Sequence, residues 1–333
     1  MNRRVTLASR PSGFPDESNF ELVEEPAPEP EAGEVLARVL ATSVDPYQRG
    51  RMSEARSYAN PVAVGDVMTA QSLAQVVESG DARFSPGELV VGQLGWQDYA
   101  VARGGSLRKV PPALDPPTLA LHAVGATGMT AYFGLFDVCR PRAGDTVVVS
   151  GAAGAVGQVV GQLAKLAGCR AVGIAGGPEK KGDLLDTYGF DAAIDYKNED
   201  VRAALKDACP NGVDAYFDNV GGAISSAAHT RLNVGARIAI CGQVSQYNEA
   251  RPEPSFHPGL LIVFRATMQG FLINDYAHRF DEAAQRLGRW VADGSIRWRE
   301  HVTEGLENAP RAFVGMLRGE NRGKALVKVA ERE

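Results

Sequence analysis

The chain has 333 residues, which is too long for one typical hydrophobic core and sufficient for two domains. With 44% hydrophobic residues, 23% charged residues and a formal net charge of −5, it gives no reason to expect nucleic acid or an anionic membrane as a partner. The sequence shows no apolar run long enough to cross a bilayer and no cleavable leader, so we expect a cytoplasmic location.

The four cysteines form no pattern typical of disulfides or metal ligands. Cys139, Cys169, Cys209 and Cys241 are scattered, and no pair of them has Cys-x-x-Cys spacing. We therefore expect no bound metal, and we interpret the cysteines as small apolar side chains.

Residues 1 to about 120 predict a compact, mostly β domain with a barrel-like arrangement, because short β-prone runs alternate with turn signals. Such runs occupy residues 35–40, 74–77, 89–91 and 99–102. Residues 45–52 (DPYQRGRM) concentrate polar and basic groups on a turn. They either line a ligand cleft or begin a surface helix capped by Asp45, and the two interpretations are compatible.

From about residue 123 onward, strands alternate with helices, which predicts a doubly wound parallel sheet of six strands. The predicted strands are residues 145–150, 170–174, 191–194, 213–218, 236–241 and 267–272, and the predicted helices include residues 179–188, 199–208 and 223–232. A long amphipathic helix over residues 277–293 should close this domain. Two further strands, 297–302 and 324–329, are expected to rejoin the first domain.

The glycine-rich stretch after the first strand of this second domain is the most specific local signal. Residues 146–150 are β-branched and apolar, and Gly151, Gly154 and Gly157 follow at a three-residue spacing before an apolar helical face. The first glycine permits a tight turn, the second lets a pyrophosphate approach the backbone, and the third lets the helix pack against the sheet. The helix start attracts phosphates. The alternative to nucleotide binding is a merely tight turn.

The end of the second strand indicates which dinucleotide is bound. An NAD site normally has an acidic residue there for the ribose 2′-hydroxyl, but this chain has residues 174–177 (IAGG), followed by Lys180 and Lys181. An absent carboxylate leaves room for a 2′-phosphate that a lysine can neutralise, so we expect NADP(H). The alternative is that both lysines are solvated, and Glu179 is a carboxylate that could replace the missing acid.

Two more segments end strands at the edge of the sheet where ligands bind. Residues 218–222 (DNVGG) follow the fourth strand, and residues 241–248 (CGQVSQYN) follow the fifth. Each could also be an ordinary turn. Tyr247 is a candidate donor because a phenol can hydrogen-bond or protonate a developing enolate, although a lone tyrosine more often serves packing.

Together these segments resemble the medium-chain dehydrogenase/reductase superfamily. Within it the chain is similar to the zinc-independent double-bond reductases, the group of prostaglandin reductases, plant alkenal/one reductases and bacterial curcumin-type reductases. The matching segments cover nearly the whole chain: DPYQRGRM (45–52), VVGQLGWQDYAV (90–101), GMTAYFGLFDV (128–138), VSGAAGAVGQVVGQLAKLAG (149–168), GFDAAIDYK (189–197), FDNVGG (217–222), CGQVSQYN (241–248), GFLINDY (270–276) and NRGKALVKV (321–329).

The resemblance implies an α/β fold in which a six-stranded Rossmann sheet is inserted in a mostly β, GroES-like barrel domain. The domains are then residues 1–122 plus 297–333 for the substrate and 123–296 for NADP(H), with the active site in the cleft between them. The implied reaction is NADPH-dependent, metal-free reduction of the carbon–carbon double bond of α,β-unsaturated aldehydes or ketones, by hydride transfer to the β-carbon. The alternatives are an NADPH:quinone reductase of the same superfamily and a non-catalytic NADPH-binding protein.

The resemblance also assigns roles to particular residues. It implies that Tyr47 and Tyr247 face the substrate as the candidate catalytic residues. The implied cofactor contacts are Lys180 and Tyr196 at the 2′-phosphate, Ala153, Gly154, Ala155 and Val156 at the pyrophosphate, Asn219, Asn321, Met129 and Thr130 at the nicotinamide half, and in addition Gly157, Gly176, Cys241, Ser245 and Tyr247.

The superfamily's zinc enzymes carry a metal-binding cysteine in the region of residues 43–47 and a four-cysteine lobe, and both are missing here. Residues 67–74 and 121–127 differ from the corresponding residues of the relatives. The identity of the substrate is therefore the property that the resemblance implies least well.

By analogy we expect a homodimer in which residues 260–264 and the sixth strand pair across a twofold axis. The alternative is that these residues form an internal core helix and strand.

Overall fold

A computed structural model of the protein describes residues 1–249 and 257–332. The chain divides into two compact units, the first made of Met1–Leu121 with Glu300–Glu333 and the second of His122–Arg299. In the described residues the strands are β1 (Asn2–Leu7), β2 (Phe20–Glu25), β3 (Glu34–Ser43), β4 (Gln71–Ser79), β5 (Leu89–Gln93), β6 (Tyr99–Arg103), β7 (Arg108–Lys109), β8 (Thr146–Ser150), β9 (Arg170–Ala175), β10 (Ala192–Asp195), β11 (Val213–Asp218), β12 (Leu232–Ile240), β13 (Thr267–Gly270), β14 (Glu300–Glu304) and β15 (Lys324–Lys328).

The α-helices are α1 (Tyr47–Arg51), α2 (Ala126–Phe133), α3 (Gly157–Leu166), α4 (Pro178–Gly182), α5 (Val201–Ala208), α6 (Gly222–His229), α7 (Gly259–Phe264), α8 (Phe280–Ala292) and α9 (Ala309–Leu317). Short 3₁₀ turns cover Glu17–Asn19, Gly104–Ser106, Pro117–Leu121, Val244–Gln246, Ile273–Arg279 and Leu306–Asn308, and π turns cover Gly134–Cys139 and Asp183–Thr187. Among the described residues, no helix is long and apolar enough to cross a bilayer.

The first unit is mostly β. In the part of the chain that the structure describes, its larger sheet has the order β14-β15-β3-β4-β5-β7, with β6 also paired to β3, and β1 pairs with β2. The pairing register between β3 and β4 shifts at two points, as it does at β-bulges. The rings of Phe20, Trp96 and Phe313 meet in the core with centroids 5.7 to 5.9 Å apart.

The second unit contains a parallel sheet, which its described residues build in the order β10-β9-β8-β11-β12-β13. In chain order of the strands this is 3-2-1-4-5-6, the doubly wound arrangement. All five residues of β8 are buried, because strands of a parallel sheet are covered on both faces. The predicted fold class, a six-stranded Rossmann sheet together with a mostly β domain, is confirmed.

Several predicted element boundaries are wrong. The helix predicted over residues 223–232 ends at His229, and the strand predicted over 236–241 begins at Leu232. The helix predicted over residues 277–293 starts as a 3₁₀ turn, and its α-helical part begins at Phe280. The strand predicted over residues 297–302 begins at Glu300. The amides of Arg297 and Arg299 donate to the side chains of Gln162 and Gln158 on α3, at 2.8 and 3.1 Å, so these residues are tied to a helix and not to a strand.

The interpretation of the cysteines as apolar side chains is confirmed. All four are free thiols; Cys139, Cys169 and Cys209 are buried, and Cys241 is half-buried. Burial raises the pKa of Cys139 and of Cys241 to about 12. These thiols therefore stay protonated at neutral pH and are poor nucleophiles.

Candidate active site

The glycine loop after β8 has the geometry that its spacing predicts. Gly151 has a φ of +59°, which favours glycine, and the amide of Gly154 donates to the Gly151 carbonyl at 3.0 Å. A Cβ atom at Gly157 would lie 2.4 Å from the Gly151 oxygen and 2.6 Å from Cα of Ala152. The turn role of the first glycine is confirmed, and the third glycine allows the start of α3 to approach the backbone of the turn closely.

The start of α3 suits a phosphate group. Val156 is the N-cap residue, and in the described structure no side chain caps this ten-residue helix. A Cβ atom at Gly154 would approach only the Gly151 oxygen, at 3.2 Å, so the outer side of the loop is open. Backbone amides at an uncapped helix start bind anions, and the residues present therefore fit a pyrophosphate.

The loop after β9 is held in place by an acidic residue from β10. Gly177 has a φ of +96°, and its amide donates to Asp195 at 2.7 Å. Burial acts to raise the pKa of Asp195, but the hydrogen bonds from Gly177, Asn198 and Lys197 outweigh it and bring the pKa below its usual value. Asp195 is therefore an ionised anchor of this loop. The sequence reasoning missed it, although an aspartate directly after the third predicted strand was a usable signal.

Tyr196 covers the end of β9. A Cβ atom at Gly176 would lie 2.8 Å from two atoms of the Tyr196 ring, so this position must be glycine for the ring to lie there. The Tyr196 side chain is 42% exposed. The structure thus brings Gly176 and Tyr196 together, beside the helix that carries Lys180.

The second lysine of α4 pairs with an acidic residue that precedes α5. Lys181 donates to Glu199 at 2.6 Å, and this hydrogen bond is the main reason why the pKa of Glu199 lies below its usual value. Glu199 also accepts from the amide of Asp195 at 3.0 Å. Lys181 therefore forms a partly exposed ion pair. Lys180 is half-buried at the neighbouring position, and Glu179 is exposed.

The ends of β8, β11 and β12 are joined by hydrogen bonds. The Asn219 side chain donates to the Ser150 carbonyl at 2.7 Å, and its amide donates to Ser150 Oγ at 2.9 Å. The amide of Cys241 donates to the main-chain oxygen of Asp218 at 2.8 Å. Asn219 and Cys241 therefore lie at one sheet edge, next to the glycine loop.

Tyr247 lies in the loop after β12 at the same edge. Its hydroxyl accepts a hydrogen bond from the amide of Gln243 at 3.3 Å, and the ring is half-buried. Ser245 ties this loop to the previous one, since its hydroxyl donates to the Val220 carbonyl at 2.7 Å. The structure thus brings Asn219, Cys241, Ser245 and Tyr247 into one connected group of loops.

Met129 and Thr130 lie on α2 of the same unit. Met129 is buried in the cluster that also contains Ala153. The Thr130 hydroxyl donates to the Ala126 carbonyl at 2.8 Å, one turn earlier in its own helix. In this structure the threonine hydroxyl is thus hydrogen-bonded within its own helix.

The remaining candidates, Tyr47 and Asn321, belong to the first unit. Burial and then the charge of Asp45 raise the pKa of Tyr47, which keeps the phenol protonated. The Tyr47 hydroxyl is buried without a hydrogen bond of ordinary geometry in the described structure, although the Gln93 amide is close enough to oppose the shift. Four residues later on α1, Nε and Nη1 of Arg51 are also buried without an acceptor among the described residues. Such buried donors without an acceptor are uncommon in folded proteins.

The helix cap predicted for Asp45 is wrong. The N-cap residue of α1 is Pro46, without a side-chain hydrogen bond. The Asp45 carboxylate instead pairs with the fully buried Lys324 and accepts from Ser43 Oγ. A buried ammonium group without a counter-charge is costly, so Lys324 takes the carboxylate. Asn321 precedes β15, and its side chain donates to the Gly323 carbonyl at 2.7 Å.

Two family models match the chain. The model described as N-terminal domain of oxidoreductase matches residues 3–110, and the model described as zinc-binding dehydrogenase matches residues 155–289. The second description names zinc, but residues 43–47 contain no cysteine. Among the described residues, no group of three or more His, Cys, Asp or Glu side chains is arranged to hold a metal ion.

The chain is similar to characterised proteins over its whole length. It is 44% identical to the NADPH-dependent curcumin reductase of Escherichia coli over 99% of this chain and 97% of that protein. It is 44% identical to prostaglandin reductase 1 of Bos taurus over 97% and 98%. The crystal structure of CurA in complex with NADPH from Vibrio vulnificus matches with a TM-score of 0.95 and 46% identity, covering 99% of both chains.

Proposed function

Because the chain belongs to the zinc-independent medium-chain dehydrogenase/reductase family and is an NADP(H)-dependent oxidoreductase, we propose that it reduces the carbon–carbon double bond of α,β-unsaturated aldehydes and ketones. The observation that carries this proposal is the shared sheet edge: the Tyr247 loop is hydrogen-bonded to the loop that follows Asn219, beside the glycine loop. Two similar proteins are named as reductases, of curcumin and of prostaglandin, which supports the substrate class.

In this proposal the described residues hold NADP(H) along one edge of the second unit. Lys180 and Tyr196 bind the 2′-phosphate, and the backbone of residues 153–156 binds the pyrophosphate. Asn219, Met129, Thr130, Cys241 and Ser245 surround the nicotinamide half. The bound NADPH supplies a hydride to the β-carbon of the substrate.

The chain's own task is then to stabilise the negative oxygen that forms on the substrate. Without a metal, this requires hydrogen-bond donors placed before the reaction. Tyr247 is the proposed donor, and water or Tyr247 delivers the proton to the α-carbon, which completes the reduction. Burial raises the pKa of Tyr47, so its phenol stays protonated and keeps its hydrogen-bond donor.

Replacing Tyr247 with phenylalanine tests the donor role. We expect kcat/KM for an enone to fall about 10- to 100-fold, because one preorganised donor is lost, while the Kd for NADPH changes by less than about threefold. Steady-state kinetics and fluorescence titration measure the two quantities. The matched control is Tyr132→Phe, whose hydroxyl donates to Glu282 at 2.9 Å, and it should keep full activity. Unchanged kcat/KM in Tyr247→Phe would mean that the donor is another group.

We also propose a homodimer formed through β13 and α7. In the described structure β13 is the last strand of its sheet, and no residue of α7 is fully buried, which favours a surface position for this helix over an internal one. Ile262 and Val263 are 80% and 60% exposed. An open strand edge beside exposed apolar side chains is typical of a partner surface.

Light scattering tests the dimer. We expect a dimer mass for the wild-type chain at micromolar concentration and a monomer mass for Ile262→Glu/Val263→Glu, because burying two carboxylates in the interface is unfavourable. Val234→Glu, at a side chain that is 61% exposed on β12, is the control and should remain dimeric. A monomer mass for the wild-type chain would contradict the proposal.

Parallel assays distinguish the other candidate functions. NADPH oxidation with a 2-alkenal or an aryl enone supports the proposed reaction, whereas turnover of a quinone alone would identify a quinone reductase. Tight NADPH binding with no turnover of any acceptor would identify a non-catalytic protein. The cytoplasmic location stays a prediction.

A further inference from the structure

Asp218, the last residue of β11, is a buried carboxylate that accepts hydrogen bonds only from neutral groups in the described structure. It is 1% exposed. Its donors are Ser150 Oγ at 2.9 Å, the Tyr216 hydroxyl and the amides of Val220 and Gly221 at 3.0 Å each, and Ser225 Oγ. A carboxylate has enough lone pairs to accept from all of these groups. Among the described residues, no lysine or arginine forms an ion pair with it.

A buried charge without a counter-ion is uncommon, because taking it out of water is costly. The hydrogen bonds from five groups stabilise the carboxylate but leave its net charge of −1 in place. The position therefore retains a negative charge inside the protein that no cation of the described chain neutralises. Such a charge interacts strongly with a positive group several Å away, since the interior screens charges much less than water does.

The carboxylate lies where three strand-end loops meet. Ser150, its hydroxyl donor, directly precedes Gly151 of the glycine loop. The main-chain oxygen of Asp218 accepts from the amides of Cys241 and Gly242, at 2.8 and 3.1 Å. Asn219, which follows directly, is fixed by two hydrogen bonds to Ser150. The proposed function places the nicotinamide half of the cofactor at these same loops.

We infer that Asp218 serves as a buried counter-charge that makes the protein favour the oxidised, positively charged form of the nicotinamide cofactor over the reduced form. This inference rests on the proposed cofactor position. The two forms differ by one positive charge on the nicotinamide ring, and the carboxylate attracts only the charged ring. Asp218 thereby assists the release of a hydride, while the hydrogen bond that it accepts from Ser150 Oγ helps to position Asn219.

A purely structural role makes a different prediction. If Asp218 only held the three loops together, its loss would weaken binding of both cofactor forms to the same extent. A counter-charge instead changes the ratio of the two dissociation constants. The ratio is measured on cofactor binding alone, so it does not depend on any substrate being turned over.

The test is Asp218→Asn, compared with the wild-type chain and with Asp214→Asn, by calorimetric titration with NADP⁺ and NADPH. The asparagine keeps the size, and Ser225 Oγ can rotate to accept from the new amide. Asp214 is the matched control, because it accepts from the Thr146 amide at 2.8 Å near the opposite end of β11. We expect the ratio of Kd for NADP⁺ to Kd for NADPH to rise about tenfold in Asp218→Asn, which is about 1.4 kcal/mol, and to stay constant in Asp214→Asn.

An unchanged ratio in folded Asp218→Asn would overturn the inference and leave Asp218 a structural residue. If this variant does not fold, the two dissociation constants of the wild-type chain provide the test. The inference requires that the wild-type chain bind NADP⁺ at least as tightly as NADPH. A wild-type preference for NADPH of about tenfold or more would also overturn it. A shifted ratio in a protein that reduces no enone would disprove the proposed function and leave this inference intact.

Discussion

Replacing Lys180 with alanine is expected to lower kcat/KM with NADPH about 100-fold and to leave kcat/KM with NADH within about threefold. The physical reason is that only NADPH has a 2′-phosphate, and a charge-assisted hydrogen bond to that group is lost. Steady-state kinetics with both cofactors at a saturating enone concentration, together with the Kd for NADPH, measure the effect.

Lys181→Ala is the matched control for this experiment. Lys181 has the same charge and is the next residue on α4, but it pairs with Glu199 at 2.6 Å. We expect the cofactor preference of this variant to stay within about threefold of the wild-type value, since a partly exposed ion pair contributes little. Equal losses in the two variants, or equal losses with NADPH and NADH, would show that Lys180 does not recognise the phosphate.

Replacing Lys324 with methionine is expected to lower the free energy of unfolding by about 3–5 kcal/mol. The Lys324 side chain is fully buried, and its ammonium group contacts Asp45, Ser43 Oγ and the Val44 carbonyl. Its removal leaves the Asp45 carboxylate largely buried without a counter-charge. Urea unfolding followed by circular dichroism and tryptophan fluorescence measures the change, and the Trp96 indole lies in the same network, donating to the Ser43 carbonyl at 3.4 Å.

The control for Lys324 lies on the same strand. Lys328 forms ion pairs with the exposed Glu304 and Glu331, so Lys328→Met should cost less than about 0.5 kcal/mol. Replacing both members of the buried pair, as Lys324→Met/Asp45→Leu, should recover much of the lost stability, because no unpaired charge remains. A small effect of Lys324→Met would mean that water or a rearrangement compensates Asp45.

Local patterns in the sequence determined the secondary structure of the second unit and the topology of its sheet. Alternating apolar strands and amphipathic helices leave few arrangements other than a doubly wound parallel sheet. The spacing of Gly151 and Gly157 determined the turn and the close approach of α3, because only glycine fits those backbone positions. These features depend on neighbours in the sequence, and sequence patterns report such neighbours directly.

The tertiary structure decided which side chains meet. Asp195 holds the Gly177 amide because β10 lies next to β9, and Asp218 accepts from Ser150 because β11 lies next to β8. The same holds for Lys324 and Asp45, which are 279 positions apart in the chain, and for Lys181 and Glu199, which form an ion pair. A periodic pattern indicates that a residue is buried or ends a strand, but it does not indicate which side chain that residue contacts. Partners follow from the order in which strands assemble, and that order exists only in the folded chain.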